Sequence, residues 1–528
     1  MAMLSYVLRA GRMLRVAHIH HGVPVTRFAM VVALLALVAT ACDDGTPDSD
    51  SDAAQDVTFE LGIASGDVTS ESAVLWTRAE GAAALSVEVT TSARFDGDVR
   101  EIDAETSEER DFTVKAHVDG LLPDTRYHFR FRSGDALSDA GTFVTAPDAS
   151  TSQALRFVFS GDSDGSRQED GTPVWNEFEV LDAAAADDPA FFLYFGDTIY
   201  ADRTPSAEDL TGFRGKYAQN RGYEALRRIF AATSTYNTWD DHEVHNDYAG
   251  TEVDPGLFDD AQQAFREYLP IDDSGDPEIL YRTFRWGADV EMILLDERSF
   301  RDDSAAEECS SGEESTADPL PAAAFDNAAD ALRGIRGFVG LADELPEGCE
   351  DAIKDAGRTL LGTEQKEYFL DWLSSTDATW KIVVNPVAIQ HLLVSPYDRW
   401  EGFAAERREV LEYIRDEGIE NVVFLTTDFH ANIFGGVRLE PFDDEQIAYE
   451  AIAGPIATAQ FRQEIVDVVG EAAAGGVEGF LTGLLKVDCA ELHSYAYALV
   501  EVTPDVLTIT AKDDTGGEMC SVTLESQP

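Results

Sequence analysis

Basic residues are scarce in this 528-residue chain, which has 39 Lys and Arg against 100 Asp and Glu and a formal net charge of −61. A surface with this charge repels nucleic-acid backbones and anionic lipid headgroups, so a nucleic-acid-binding module is not expected. The excess of acid is typical of a protein that stays soluble in a salty environment, and an acidic surface for one basic partner is the alternative. Charge therefore excludes partners without identifying a function.

Long hydrophobic runs are scarce too: the apolar run at 28–38 is too short to span a bilayer comfortably. Four Arg precede it and small residues follow, a pattern that predicts a secretory signal over residues 1–41. Cys42 resembles a lipobox cysteine, although Ala39 stands where lipoproteins usually have Leu; an ordinary signal with an incidental Cys42 is the alternative. We expect an exported protein, lipid-anchored at the cell envelope or otherwise secreted, with an acidic tether over 42–56.

Cysteine is rare, with five in the chain. Besides Cys42 there are Cys309, Cys349, Cys489 and Cys520, whose spacing matches no zinc site. An even number of cysteines in an exported chain predicts two disulfides. Three pairings are possible, and sequence neighbourhood favours Cys309 with Cys349 and Cys489 with Cys520.

Two kinds of hydrophobic pattern divide the rest of the chain. Between residues 57 and 147, short alternating segments separated by Gly, Asp and Ser predict a β-sandwich, and the segment 122–127 (LPDTRY) resembles the tyrosine corner of fibronectin type III domains. From residue 152 onward, apolar runs alternate with helical patterns, which indicates an α/β domain that ends in a β-hairpin. The acidic, Ala-rich segment 301–357 is expected to be an insertion beside the functional site.

Four acidic clusters, each after an apolar run, carry the chemistry. They are SGDSDG (160–165), FGDTIYAD (195–202), WDDHEVHND (239–247) and TTDFH (426–430). Because open α/β sheets bind ligands outside the carboxyl ends of their strands, Asp162, Asp197, Asp241 and Asp428 are expected to converge. Four like charges are costly to bury without compensation. The clusters therefore predict a hydrolytic site with two or three metal ions, for which these oxygen and nitrogen donors are suitable ligands.

In this order the blocks resemble the PhoD-like alkaline phosphatase family of the metallophosphoesterase superfamily. The resemblance covers nearly the whole exported chain and includes the blocks LLDERSFR, WKIVVNPVAI and DRWEGFAAER. It implies a fibronectin III-like PhoD N-terminal β-sandwich over 57–147, then an α/β metallophosphoesterase domain over 152–528 built as a two-sheet α-β-β-α sandwich. It also implies a phosphodiesterase or phosphomonoesterase whose site combines iron with calcium.

The resemblance assigns roles to particular residues. Asp197 matches the bridging aspartate, beside which the attacking water is expected, and Tyr200 matches the tyrosinate ligand of the iron. Asp428 and His430 match the closing metal ligands. His242 corresponds to the histidine beside the scissile phosphate and is the expected proton donor to the leaving group.

The WDDHE block adds further candidates. Asp240 and Asp241 are candidate metal ligands, with a helix N-cap as their alternative role, and Asn246 is a further candidate for calcium. Arg298 and Asp398 are expected to form a buried ion pair or support the fold.

Two positions depart from the family pattern. Asp162, followed by Asp164, stands where the family usually has a cysteine ligand, and a carboxylate is a harder donor than a thiolate, which leaves the identity of that metal open. Asp164 has an Asx-turn as its alternative role. Thr427 replaces the usual glycine and adds a side chain next to Asp428.

Two other functions remain open at this stage. The first is an inactive, calcium-dependent surface-binding protein, which the fibronectin-like domain, the tether and the missing cysteine permit. The second is a phospholipase D-like hydrolase of lipid headgroups, which would share the same site. The leading interpretation is a metal-dependent hydrolase of small phosphate monoesters or diesters, with the preferred ester and the oligomeric state undetermined.

Overall fold

The computed structural model describes residues 57–81, 84–250, 252–310, 345–393 and 396–527. The predicted signal, Cys42 and the acidic tether lie outside these residues, and so does most of the predicted insertion. Among the helices in the described ranges, none combines the length and the apolar character needed to cross a membrane.

One nine-stranded sheet joins the N-terminal region to the α/β region. Residues 65 and 66 pair in parallel with residues 234 and 235, so three strands of the expected sandwich extend the sheet of the α/β region. In spatial order the strands are β21 (Glu518–Glu525), β20 (Val506–Asp513), β19 (Ala496–Val502), β9 (Leu155–Ser160), β10 (Phe191–Tyr194), β11 (Ser234–Tyr236), β1 (Ile63–Gly66), β2 (Ser72–Arg78) and β5 (Thr113–Asp119).

A five-stranded sheet forms the other layer of the N-terminal sandwich. The hydroxyl of Tyr127 accepts a hydrogen bond from the backbone N–H of Leu122 at 2.9 Å, which confirms the predicted tyrosine corner. The strands are β4 (Arg100–Ala104), β3 (Leu85–Thr90), β6 (Arg126–Ser133) and β7 (Ala136–Leu137), with β8 (Gly141–Val144) paired to β6.

A seven-stranded sheet packs against the nine-stranded one. Of its six strand pairings, the three from β13 to β17 are parallel and the three at the two ends of the sheet are antiparallel. The strands are β12 (Arg282–Trp286), β13 (Val290–Leu294), β14 (Trp380–Val384), β15 (Val422–Thr426), β17 (Ala448–Ile452), β16 (Asn432–Val437) and β18 (Val487–Glu491).

Helices cover the outer faces of both large sheets. The helices of the described ranges are α1 (Val180–Ala186), α2 (Leu210–Arg221), α3 (Glu224–Ala232), α4 (Pro255–Tyr268), α5 (Cys349–Ile353), α6 (Thr363–Ser375), α7 (Ala404–Asp416), α8 (Phe461–Val469) and α9 (Glu471–Leu484). The helical pattern predicted over 210–230 is divided between α2 and α3, which meet at Gly222.

The alternation of side chains along the strands explains the layers. In β10, Phe191 and Leu193 belong to the core between the two sheets, while Phe192 and Tyr194 belong to the core beneath the helices of the nine-stranded sheet. In the seven-stranded sheet, Val383 of β14 packs in the same way into the core under α6 and α7. A period of two in a strand buried on both faces produces two cores, so the predicted α-β-β-α arrangement is confirmed.

Both expected disulfides form, Cys309–Cys349 and Cys489–Cys520. The first packs with Tyr397 in a small hydrophobic cluster. The second connects β18 of the seven-stranded sheet to β21 of the nine-stranded sheet. The prediction from sequence neighbourhood is therefore confirmed for both pairs.

Candidate metal centre

Sharp turns at the ends of three strands carry the predicted aspartates. Asp162 follows β9, Asp197 follows β10 and Asp428 follows β15, and their φ angles of 59°, 50° and 63° all lie in the left-handed region. His430 has φ 53°. Such conformations are uncommon outside glycine and cost on the order of 1 kcal/mol each, so they persist where the surrounding fold determines them. The turns bring side chains from both large sheets to one place.

Two groups of three ligand atoms share Asp197. In the first group Asp162, Asp197 and His430 place one ligand atom each within 4.8 Å of one another, and in the second Asp197, Asp241 and His242 do the same. All five side chains are buried except that of His430, which is half-buried. Asp197 therefore occupies the position that a bridging ligand requires.

Tyr200 and Asp428 adjoin the first group. The hydroxyl of Tyr200 lies 3.2 Å from Nε2 of His430, and its ring stacks on the ring of His242 with centroids 4.2 Å apart. The backbone N–H of Asp428 donates to Oδ1 of Asp162 at 3.0 Å. Burial and the charge of Asp197 raise the pKa of Tyr200 well above its usual value, so the phenol keeps its proton unless a cation stabilises the phenolate.

The two neighbouring aspartates of the WDDHE block have different partners. Asp240 accepts a hydrogen bond from Nε of the fully buried Arg298, whereas Asp241 belongs to the second group and lies 3.9 Å from the same guanidinium. Residues 241–247 form turns and no helix begins there, which excludes the N-cap alternative. Arg298 also donates to both oxygens of Asp398, at 2.8 and 2.7 Å, so the predicted buried ion pair is confirmed.

Other predicted positions lie at the edge of the site. Asn246 is exposed, and its backbone N–H donates to Oδ2 of Asp202 at 3.3 Å. Asp164 forms the Asx-turn that was its alternative role, because its Oδ1 accepts from the backbone N–H of Ser166 at 2.9 Å. Thr427 is accommodated by Gly196, since a Cβ at that glycine would collide with the threonine hydroxyl.

Two carboxylates that the sequence did not single out hold the histidines. Asp202 lies 2.8 Å from Nδ1 of His242, and Glu464 of α8 lies 2.7 Å from Nδ1 of His430. Such contacts orient an imidazole and leave Nε2 for the site. Asp202 had a recognisable signal, its place within the FGDTIYAD block, whereas Glu464 comes from a helix with no acidic block of its own.

A third group, also not predicted as such, extends the site outward. Asp241, Asp247 and Asp398 place ligand atoms within 4.8 Å of one another, and Arg298 and Arg301 bind Asp398. Asp247 is the exposed member of this group, and partial desolvation together with the charges of Asp398 and Asp241 raises the pKa of its carboxyl.

The electrostatics of the site indicate a deficit of positive charge. Burial raises the pKa of Asp162 to about 7, although His430 opposes the shift. Burial and the neighbouring aspartates raise the pKa of Asp197 and of Asp428 well above the usual range. Asp241 is different. Burial also tends to raise the pKa of this carboxyl, but Arg298 and His242 outweigh burial and hold the pKa below its usual value. Most of the cluster therefore lacks a compensating cation among the side chains of the described residues.

Three buried carboxylate oxygens show that this donor set fits metal ions. Oδ2 of Asp162, Oδ2 of Asp240 and Oδ1 of Asp241 have no hydrogen-bond partner in the described part of the chain. Gly454 leaves the space that Oδ2 of Asp162 occupies, since a Cβ there would overlap it. A buried carboxylate oxygen without a partner is costly, and a multivalent cation bound by oxygen and imidazole donors removes that cost.

Comparisons with known proteins show which family this chain resembles. Residues 170–510 match the family model described as PhoD-like phosphatase, and residues 45–147 match the model of the PhoD-like phosphatase N-terminal domain. Alkaline phosphatase D of Bacillus subtilis (strain 168) is 28% identical over 419 residues, which cover 71% of this chain and 64% of that protein. The chain thus spans just under two thirds of the length of this curated relative.

Two solved structures have a similar fold. A structure of PhoD matches with a TM-score of 0.69 at 23% identity over 91% of this chain and 92% of that one. Purple acid phosphatase PPD1 from yellow lupin (Lupinus luteus) seeds matches with a TM-score of 0.54 at 12% identity over 88% and 73% of the two chains.

Proposed function

Since the chain belongs to the PhoD-like phosphatase family, we propose that it is a metal-dependent hydrolase of phosphate monoesters or diesters. The observation that carries the proposal is the pair of ligand groups that share the buried Asp197. Two adjacent cation sites with a common carboxylate are the arrangement that metal-assisted phosphoryl transfer to water requires.

The metal ligands are proposed from the donors of each group. Asp162, Asp197, Tyr200 and His430, with Asp428 beside them, would hold iron, because a phenolate joins this group. Around Asp241, in the second group, an oxygen-rich donor set suits calcium, with Asp240 and Asn246 as further candidates. When bound, the metal ions supply an acidified water and charge compensation for the phosphate oxygens.

The residues of the chain then bind, orient and move protons. Asp197 lies where both groups meet and orients the water that attacks phosphorus. Asp202 and Asp241 favour the charged form of His242 and, against the effect of burial, raise its pKa to about 9. We assign His242 to proton donation and not to metal binding: Asp202 holds Nδ1, and Nε2 is left to donate a proton to the departing alkoxide.

Hydrolysis of p-nitrophenyl phosphate and of bis-p-nitrophenyl phosphate tests the proposal. We expect the metal-replete protein to turn over at least one of these esters, and chelation to abolish turnover and phosphate binding together. Asp197→Asn is expected to lose activity by about 100-fold or more, because even groups that only support metal ligands are worth 10- to 100-fold. Asp273→Asn, which alters a carboxylate outside the site, is the matched control.

Full activity after chelation would contradict metal dependence, and the absence of turnover with either ester would favour the binding-protein alternative. Release of choline from phosphatidylcholine vesicles would favour the lipid-headgroup alternative. Elemental analysis of the wild type and of Asp162→Cys measures the metals directly, and we expect iron in both if the first group holds it.

Export and lipid anchoring at Cys42 belong to the same proposal, supported by the N-terminal pattern of the sequence. Mass spectrometry of the N-terminal peptide from the envelope fraction is expected to show acylation of Cys42. Cys42→Ser is expected to release the protein from the membrane. A protein that stays in the membrane fraction after this substitution would contradict the anchor.

A further inference from the structure

We propose that Arg203 binds a negatively charged oxygen of the substrate and makes this enzyme favour phosphomonoester dianions over phosphodiesters. The inference rests on the proposed function and deepens it, because it names the class of ester. Arg203 lies in the loop after the FGDTIYAD block, one residue beyond Asp202, which orients His242.

The N–H groups of the Arg203 guanidinium are available to bind an anion. Its side chain is 49% exposed, and its ion-pair partner Asp164 lies with Oδ2 at 3.7 Å from Nε, beyond hydrogen-bond distance. No hydrogen bond from this guanidinium is formed within the described residues. Arg298 and Arg301, by contrast, are buried and hydrogen-bonded to Asp398.

The surroundings of Arg203 fix its backbone and its counter-ion Asp164 without occupying the guanidinium donors. Both oxygens of Asp164 already accept hydrogen bonds at 2.9 Å, from the backbone N–H of Ser166 and from Nε1 of Trp175. The carbonyl of Arg203 accepts from Nζ of Lys216 of α2 at 2.6 Å. A fixed backbone and a fixed counter-ion reduce the entropy that the guanidinium loses when it binds an anion.

Arg203 is also adjacent to the reacting groups. Its guanidinium carbon lies 5.5 Å from the centroid of the Tyr200 ring. That ring stacks on His242, the proposed proton donor, and its hydroxyl lies 3.2 Å from Nε2 of His430. Arg203 therefore borders Tyr200, which contacts one residue of each ligand group.

The chemistry of the two ester classes differs at one oxygen. A monoester dianion has three charged or partly charged oxygens on phosphorus, whereas a diester has an uncharged ester oxygen in place of one of them. A guanidinium binds phosphate oxygens through charge-assisted hydrogen bonds and gains nothing comparable from an ester oxygen. The cation also offsets locally the repulsion between a dianion and a chain with net charge −61.

Variants of Arg203 in the metal-replete, full-length protein test the inference. For Arg203→Gln we expect kcat/KM for p-nitrophenyl phosphate to fall roughly 10- to 100-fold, the usual worth of a hydrogen bond to a charged group. For bis-p-nitrophenyl phosphate we expect kcat/KM to stay within about threefold of the wild type. Arg203→Lys, which keeps the charge but loses the planar fork, is expected to restore part of the monoester activity.

Arg94→Gln is the control for net charge, because the side chain of Arg94 is 85% exposed in the N-terminal region and the substitution removes the same charge. We expect it to leave the ratio of the two kcat/KM values unchanged. Equal losses on both esters in Arg203→Gln, or an unchanged ratio, would overturn the inference while leaving the proposed function intact. A wild-type protein that turns over neither ester would overturn the proposed function and this inference with it.

Discussion

Two clusters of carboxylates and histidine in this molecule share composition and spacing but not environment. At the surface, His117 of β5 lies with Asp272 and Asp273, and ligand atoms of the three fall within 4.8 Å of one another, as in the groups around Asp197. The surface cluster, however, has its own cations. Lys115 and Arg110 lie 3.9 and 3.5 Å from Oδ2 of Asp273.

Among the described residues, the buried cluster around Asp197 has no comparable set of cationic side chains. Arg298 binds Asp240 but lies 3.9 Å from Asp241, and Oδ2 of Asp162 has no hydrogen-bond partner in the described ranges. Residue type and spacing are therefore insufficient to recognise a metal site. Burial and unmet charge distinguish a cluster that needs an external cation from one that the protein has already neutralised.

The largest expected difference between the two clusters is the stability lost when the arginine beside each cluster is replaced. Arg298→Met leaves Asp240 buried without its counter-ion and Asp398 with Arg301 alone, and we expect it to lower the free energy of unfolding by about 3–5 kcal/mol. Arg110→Met removes a side chain that is 65% exposed, so the loss should stay below about 1 kcal/mol. Urea unfolding of both variants in metal-free buffer measures the difference, and losses of similar size would mean that the two clusters are equivalent.

A smaller difference is expected when metal ions are added. At about 100 times its dissociation constant, a cation that binds only the folded state stabilises it by about 2.7 kcal/mol. We expect calcium to raise the melting temperature of the wild type and of Asp273→Asn, and to have little effect on Asp197→Asn. Calorimetric melts with and without chelator measure this shift. Loss of the shift in Asp273→Asn alone would assign the cation to the surface cluster.

The smallest effect is the pH dependence of the surface cluster. The hydrogen bond to Asp273 raises the pKa of His117 in the folded protein, although burial opposes it. Because the pKa of His117 is higher in the folded protein than in the unfolded one, His117 stabilises the fold at pH values below its unfolded pKa, near 6.5. This stabilisation disappears as the pH rises through the pKa of the folded state.

We expect the contribution to be about 0.5 kcal/mol, because His117 is 37% exposed and solvent screens the pair. His117→Gln should therefore lose stability relative to the wild type at low pH but little at high pH, as measured by urea unfolding on both sides of the transition. Added salt should weaken the effect. A deficit of the same size at every pH would show that His117 contributes by packing instead.

The sequence predicted the residues and strands around the site better than the contacts between distant segments. The acidic blocks after β9, β10 and β15 were recognisable because a strand end followed by Asp is a local pattern. The parallel pairing of β1 with β11 was not, since it joins segments about 170 residues apart in the chain and depends on how two regions pack. The helical pattern over 210–230 was correct in type, but the break at Gly222 was missed.

Periodicity, turn residues and cysteine neighbourhood are local properties of this chain, and from them the sequence by itself determined a β-sandwich followed by an α/β region, the acidic blocks and the favoured pairing of the cysteines. The two-sheet layering was implied by the resemblance to the family. Only the tertiary structure decided that Arg298 binds Asp240 and leaves Asp241 with Asp197, and that Glu464 of α8 holds His430. The physical reason is that a charge buried in the fold is compensated by whatever side chain the packing brings near it, and packing joins residues that are distant in sequence.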